Sequence, residues 1–162
     1  MQVVEGEADI ESVDAFVDEV QEIGAAHDAT VQAFDARYIV DREHLQRAVE
    51  LADRERGRGE GIARDAGVEI LLYAAGRRQI NRALEIGVSE GHCPVVAVAV
   101  GDDATAAADA LSELLEPADT LGAFDDQRVR DVFEISERER ATTAGTLADI
   151  VHERVTLLVV ER

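Results

Sequence analysis

Two adjacent arginines, Arg77 and Arg78, follow a glycine and open the segment GRRQINRALEIG. Ile80, Ala83, Leu84 and Gly87 recur there at helical spacing. This predicts a helix with those residues inward, Arg78, Arg82 and Glu85 on the opposite side, and Asn81 and Arg77 at its edge. The arginine pair then falls in the first turn, where the positive end of the macrodipole disfavours cations by about 0.3–1 kcal/mol each. Guanidinium groups beside free backbone N–H donors at a helix start are suited to hold an anion. The alternative is a solvated helix end that tolerates a small penalty, and the segment alone leaves both readings open.

Other residues with chemical potential do not assemble into a reaction. Glu43 and His44 sit together in the first turn of an expected helix, but neighbouring helical residues point about 100° apart, and no Ser or Cys nucleophile accompanies them. His44 therefore reads as a packing or capping residue. The histidines, His27, His44, His92 and His152, lie far apart in the chain without metal-ligand spacing. Cys93 stands between His92 and Pro94 before an apolar run, with no charged activator beside it, and reads as a small buried residue. The chain contains no Lys, which excludes a lysine nucleophile and a phosphate-loop lysine. No catalytic residue, metal site or cofactor is expected.

The elements that must position the arginines can be followed along the chain. Val3–Val4 is a short strand. Ser12 caps a helix with Val13, Phe16, Val17 and Val20 inward, ending near Gly24. Thr30–Phe34 is a strand and Ala36–Val40 an extended or turn segment. Asp41 caps a helix with Leu45, Ala48, Val49 and Ala52 inward, which runs out in the glycine-rich loop at 56–61. Val68–Ala75 is apolar on nearly every side except Glu69, the pattern of a helix sunk in the core; Gly76 interrupts it. Val95–Val100 is a continuous apolar run that suits a strand covered on both faces. A helix from Thr105 to Glu116, capped by Asp103 and stopped by Pro117, comes next, then a short helix over Asp125–Phe133. Ser136 opens a capping box. Thr146 caps a helix with Leu147, Ile150 and Val151 inward, and Val155–Val160 closes the chain as a second buried strand. Alternating strands and helices predict a single α/β or α+β layered domain spanning 1–162, one mixed sheet with helices packed on it.

Charge is the loudest compositional feature. Across 162 residues, 35 acids face 16 basic residues, for a net −19. Acid excess with no Lys suits a salt-saturated cytoplasm, where the Debye length falls to about 3 Å at 1 M and a carboxylate surface repels itself less. A halophilic source is expected, and the acidity needs no cationic partner to explain it. No apolar run reaches the roughly 20 residues that span a bilayer, and the N-terminus lacks a signal-peptide layout. A lone cysteine makes no internal disulfide, so a cytoplasmic location is expected. Residues 37–82 hold ten of the sixteen arginines and eight acids, a local +2 on an otherwise acidic chain. This predicts a basic patch formed by Arg37, the 42–58 helix and loop, Arg64, and Arg77–Arg82. An acidic body repels a long duplex, so an RNA partner is expected to touch through a small single-stranded footprint. Because salt weakens counterion release, binding should lean on hydrogen bonds and stacking. Tyr73 could offer a stacking platform, but its apolar helix places it in the core.

Three stretches, VQAFDARYIVDREHLQRAVELA, RDAGVEILLYAAGRRQINRALEIGV and the closing ERVTLLVV, closely resemble the small regulatory subunit of the KEOPS complex. That is the archaeal and yeast Cgi family, whose animal member is called PRPK-binding protein. The likeness is strongest over Val31–Val100. It implies a non-catalytic subunit of the complex that installs threonylcarbamoyl on the adenosine beside the anticodon of tRNAs. Such a subunit binds the complex's small atypical kinase/ATPase, contacts other KEOPS subunits through it, and recruits tRNA by its single-stranded CCA end. The resemblance implies that Arg77, Arg78 and Gln79 contact the RNA terminus, with Asn81 and Arg82 beside them, while Ile80 packs; Arg64 joins the RNA-binding set from the charge patch. The competing reading is an α/β binding domain or enzyme acting on a phosphorylated small molecule at the Arg77–Arg78 helix start. A blander one is a pure protein–protein adaptor.

Overall fold

The computed structural model describes residues 1–160. Its centre is the strand β3, Gly91–Val100. The apolar run expected as a doubly covered strand lies here, flanked by β1 (Gln2–Ile10) and β2 (Thr30–Asp35). A two-residue strand, β4 (Glu116–Pro117), extends the far side of β1, giving the order β2-β3-β1-β4 with every pair antiparallel. The domain is α+β, as expected. The sheet is antiparallel throughout rather than mixed.

Alternation along β3 sorts its side chains onto two faces. Cys93, Val95, Ala97 and Ala99 join Val20 and Leu111 in one cluster, under α1 (Val13–Ala26) and α5 (Ala104–Ser112). Val96 and Val98 face the larger cluster built by α2 (Arg42–Gly57), α3 (Ala66–Ala75) and α8 (Leu147–Val160). Around that second face run α4 (Ile80–Ala83), α6 (Asp126–Val132) and α7 (Glu137–Thr142). Helix starts are capped where the sequence places acceptors: the side chains of Ser12, Asp41, Asp65, Asp125 and Ser136 each accept a backbone N–H of the first turn.

Three expectations are corrected. Val155–Val160 is not a strand but the end of α8. The buried residues Leu147, Ile150, Val151, Val155 and Leu158 continue one helical stripe, and Val160 is left exposed. The helix after Asp103 ends at Ser112, so Glu116–Pro117 is free to pair with β1, and the Asp103 side chain makes no cap bond. The third correction concerns the segment after Gly76. Gly76 takes the left-handed conformation (φ 62°), and Arg77 N–H reaches back to Leu72 O at 3.0 Å, which closes α3 in a Schellman-type cap. The chain leaves that cap through bends at Arg78 and Gln79, the latter with extended backbone, so α4 begins only at Ile80 and lasts four residues. Arg77 and Arg78 precede the helix instead of occupying its first turn, and the anion-holding helix start does not form.

Candidate functional site

The turn between α3 and α4, with α4 itself, carries three of the ten arginines of the expected patch, Arg77, Arg78 and Arg82, and engages them unevenly. Arg77 is 23% exposed; its Nη2 donates to Val132 O at 2.6 Å and its Nη1 lies 3.6 Å from Glu134 Oε2. Arg82 lies 3.3 Å from Glu134 Oε1 and 3.9 Å from Glu85 Oε1. Glu134 therefore holds two guanidinium groups at once. It does so from the left-handed conformation (φ 55°), the residue after the α6 C-cap, where Ile135 N–H bonds back to Arg130 O. Glycine is the usual occupant of such a cap, and a non-glycine residue there costs about 1 kcal/mol or more. The two ion pairs sit where that cost is borne.

Arg78, Gln79 and Asn81 are exposed, and Arg78 has no hydrogen-bond or ion-pair partner among the described residues. Beside them lie Ile80, 50% exposed, and Leu84, 57% exposed. Both were expected to face inward. With α4 only one turn long, Ala83 and the following Ile86 supply the buried contacts and the larger pair is left on the surface. Arg64 is exposed as well but lies before the opposite end of α3, about 15 Å along that helix from Arg77. Between the two ends, Leu84 joins Gly67, Val68 and Leu71 in lining an open groove of about 880 Å³ that continues along α1 and β2.

The loop that carries Arg64 is fixed from below by a residue the sequence left unexplained. Glu69 is fully buried, and its carboxylate accepts Ile62 N–H at 2.7 and 2.9 Å and Ala63 N–H at 3.0 Å. Arg56 completes the clamp by donating to Ala63 O at 2.8 Å and Arg64 O at 3.0 Å. An isolated polar position in an apolar helix was the available signal: a buried carboxylate needs donors, and a glycine-rich loop has free N–H groups.

The remaining chemical candidates are placed as packing groups. His44 is buried; its Nδ1 accepts Val40 N–H at 3.3 Å, which leaves Nε2–H to donate to Ala74 O at 2.7 Å. Burial pushes its pKa down to about 4. Glu43 turns the other way, toward His152 at 2.7 Å, so the neighbouring pair does not share one reaction centre. Cys93 is buried, and desolvation raises its thiol pKa, away from a nucleophilic thiolate. Tyr73 is buried in α3 and offers no stacking surface. No helix of the described residues is long and apolar enough to cross a membrane.

The class these features define is an α+β domain in which two large exposed apolar side chains, Ile80 and Leu84, lie beside the exposed Arg78, Gln79 and Asn81 just after a buried helix. A family model described as kinase binding protein CGI-121 matches residues 9–158, and the chain belongs to that family. No curated protein sequence matches it significantly.

Proposed function

We propose that this chain is a non-catalytic, kinase-binding regulatory subunit that recruits tRNA to a KEOPS-type threonylcarbamoyladenosine-modification complex in the cytoplasm of a halophilic archaeon. Kinase binding follows the description of the family to which it belongs. The small atypical kinase of that complex is the direct partner, and the remaining subunits are reached through it. The tRNA contact is its single-stranded CCA end, held at Arg78, Gln79 and Asn81, with Arg64, Arg77 and Arg82 in support.

The observation that carries the RNA reading is the surface of the α3–α4 turn. A guanidinium unpaired among the described residues, two amide side chains and two exposed aliphatic residues lie side by side on a chain of net charge −19. Amides and guanidinium planes hydrogen-bond and stack on unpaired bases, and apolar side chains cover base faces. Those contacts survive high salt better than phosphate neutralisation does. The geometry also ranks the arginines: Arg78 is available, whereas Arg77 and Arg82 must first give up Glu134.

Fluorescence anisotropy in molar potassium chloride tests the proposal. Intact tRNA is expected to bind the isolated chain, and removal of the terminal CCA or the substitution Arg78→Glu to weaken binding by about tenfold or more, the scale of one lost base or phosphate contact of roughly 1–3 kcal/mol. Equal affinity for intact and trimmed tRNA overturns the CCA contact. Kinase binding is read separately by co-purification, and Arg78→Glu is expected to leave it unchanged.

A further inference from the structure

A second constellation, away from the arginine turn, joins the start of α2 to the middle of α8. His152 Nε2 lies 2.8 and 3.0 Å from the two carboxylate oxygens of Asp41, and its Nδ1 lies 2.7 Å from Glu43 Oε2. One ligand atom from each of the three residues can be chosen within 4.8 Å of the others. We propose that Asp41, Glu43 and His152 form a binding site for a divalent transition-metal ion of the zinc class, which fastens α8 to the start of α2.

The donor set carries the choice of ion. One imidazole and two carboxylates suit zinc and its first-row neighbours, whereas magnesium and calcium prefer oxygen alone. Distances leave room for it. Two ligands about 2.1 Å from a tetrahedral zinc lie about 3.4 Å apart, so the Nε2–Asp41 pair, now at 2.8 and 3.0 Å, must open by about half an ångström to admit the ion. Glu43, with a side chain 54% exposed, is able to swing from Nδ1 toward Nε2 as the third ligand, and the solvent side leaves a position for water.

Both ring nitrogens of His152 face carboxylate oxygens, so the ring is held between two anionic groups, and an ion at Nε2 takes the place of a proton between the imidazole and Asp41. The ring itself is nearly fixed, since the side chain is only 8% exposed. Asp41 is held too, because its Oδ1 accepts His44 N–H at 2.8 Å. Arg47, 3.7 Å from Glu43 and bonded to Thr156 Oγ1 at 3.2 Å, stands at the rim as a competing cation. The positive end of the α2 dipole, equivalent to about half an elementary charge, opposes a cation here, but two carboxylates outweigh it.

With 35 acids on the chain offering other carboxylates to a divalent ion, the test must isolate the imidazole-dependent one. Zn²⁺ titration by calorimetry and Co²⁺ titration read in the visible ligand-field bands are run in molar potassium chloride with excess Mg²⁺. The wild-type chain is expected to bind a single ion per molecule. Glu43→Gln is expected to weaken it by about tenfold or more and His152→Gln by about 100-fold or more. Hydrogen exchange in α8 is expected to slow on adding Zn²⁺ to the wild type alone. Absence of an ion that survives Mg²⁺ competition, or equal affinity in wild type and Glu43→Gln, overturns the site. If circular dichroism shows His152→Gln unfolded, the exposed Glu43→Gln position decides alone.

Discussion

α3 and α4 stand on either side of Gly76 and carry similar aliphatic residues, yet one is the most buried helix of the domain and the other lies open. Ile70, Leu71, Leu72, Tyr73 and Ala74 are all buried, enclosed by the sheet, α2 and α8. Polar groups on the α3 side are satisfied internally: Glu69 by loop amides and Ala74 O by His44. Across the glycine, Ile80 and Leu84 remain half exposed, and Arg78 is unpaired among the described residues. The difference teaches that burial here is decided by what covers a segment and not by its hydrophobicity. The left-handed cap at Gly76 turns the chain out of the layer before α4 can be covered. Residues left exposed in this way can be selected for contact with something outside the chain.

The sharpest way to break this comparison is the same truncation on both sides. Leu72→Ala is expected to cost about 2–5 kcal/mol, because a fully buried leucine leaves a cavity as well as losing transfer free energy. Leu84→Ala is expected to stay within about 0.5 kcal/mol of wild type. Guanidinium denaturation of the two variants in the same salt measures both. Comparable losses would mean that α4 packs in solution as firmly as α3.

A smaller effect comes from pH and belongs to the α3 side. His44 has its folded-state pKa lowered to about 4 by burial, so the unfolded chain, with the ordinary value of 6.5, binds the proton more readily. Stability from this group is fully present above pH 6.5 and is lost as pH falls toward 4. The expected loss is at most about 3 kcal/mol, the equivalent of roughly 2.5 pKa units. Thermal or denaturant unfolding between pH 7 and 4.5 checks the slope, and His44→Gln is expected to flatten it. A slope that persists unchanged in the variant assigns it to the carboxylates instead.

β2, β3 and the capped starts of α1, α2 and α7 were legible because their signals are local, whereas β1 was read only as Val3–Val4 and β4 lay at the end of an expected helix. An uninterrupted apolar run marks β3, and Ser12, Asp41 and Ser136 mark the caps of α1, α2 and α7; Asp65 and Asp125, which cap α3 and α6, were not singled out. The end of α8 was misread because Val155–Val160, five apolar residues and Thr156, satisfies a buried strand and a buried helix equally; only the continuation of the Leu147–Val151 stripe into Val155 and Leu158 distinguishes them. The start of α4 was misread because helical spacing in Ile80–Gly87 says nothing about the exit from a Schellman cap. Asp41 and Glu43 were visible as cap and first-turn residues. Their meeting with His152 spans 111 and 109 positions and leaves no local trace. Glu134 was hidden for the same reason, 52 positions or more from the arginines it holds.

The smallest expected effect, on the open side of the comparison, is also the most discriminating for the RNA reading. Glu134 is 65% exposed and pairs with both Arg77 and Arg82. Glu134→Gln keeps the side-chain volume and the backbone position while removing the charge. Exposed ion pairs are worth about 0–1 kcal/mol, so stability should change little. If a phosphate of the tRNA end must displace Glu134, removing that competitor is expected to raise tRNA affinity by a few-fold, at most about tenfold, with the gain lost again in Arg77→Gln. Anisotropy with intact and CCA-trimmed tRNA separates the outcomes: a gain confined to intact tRNA places the displaced carboxylate under the RNA terminus. An unchanged affinity assigns Arg77 and Arg82 to holding the α6–α7 loop and leaves Arg78 as the arginine of this turn that meets RNA.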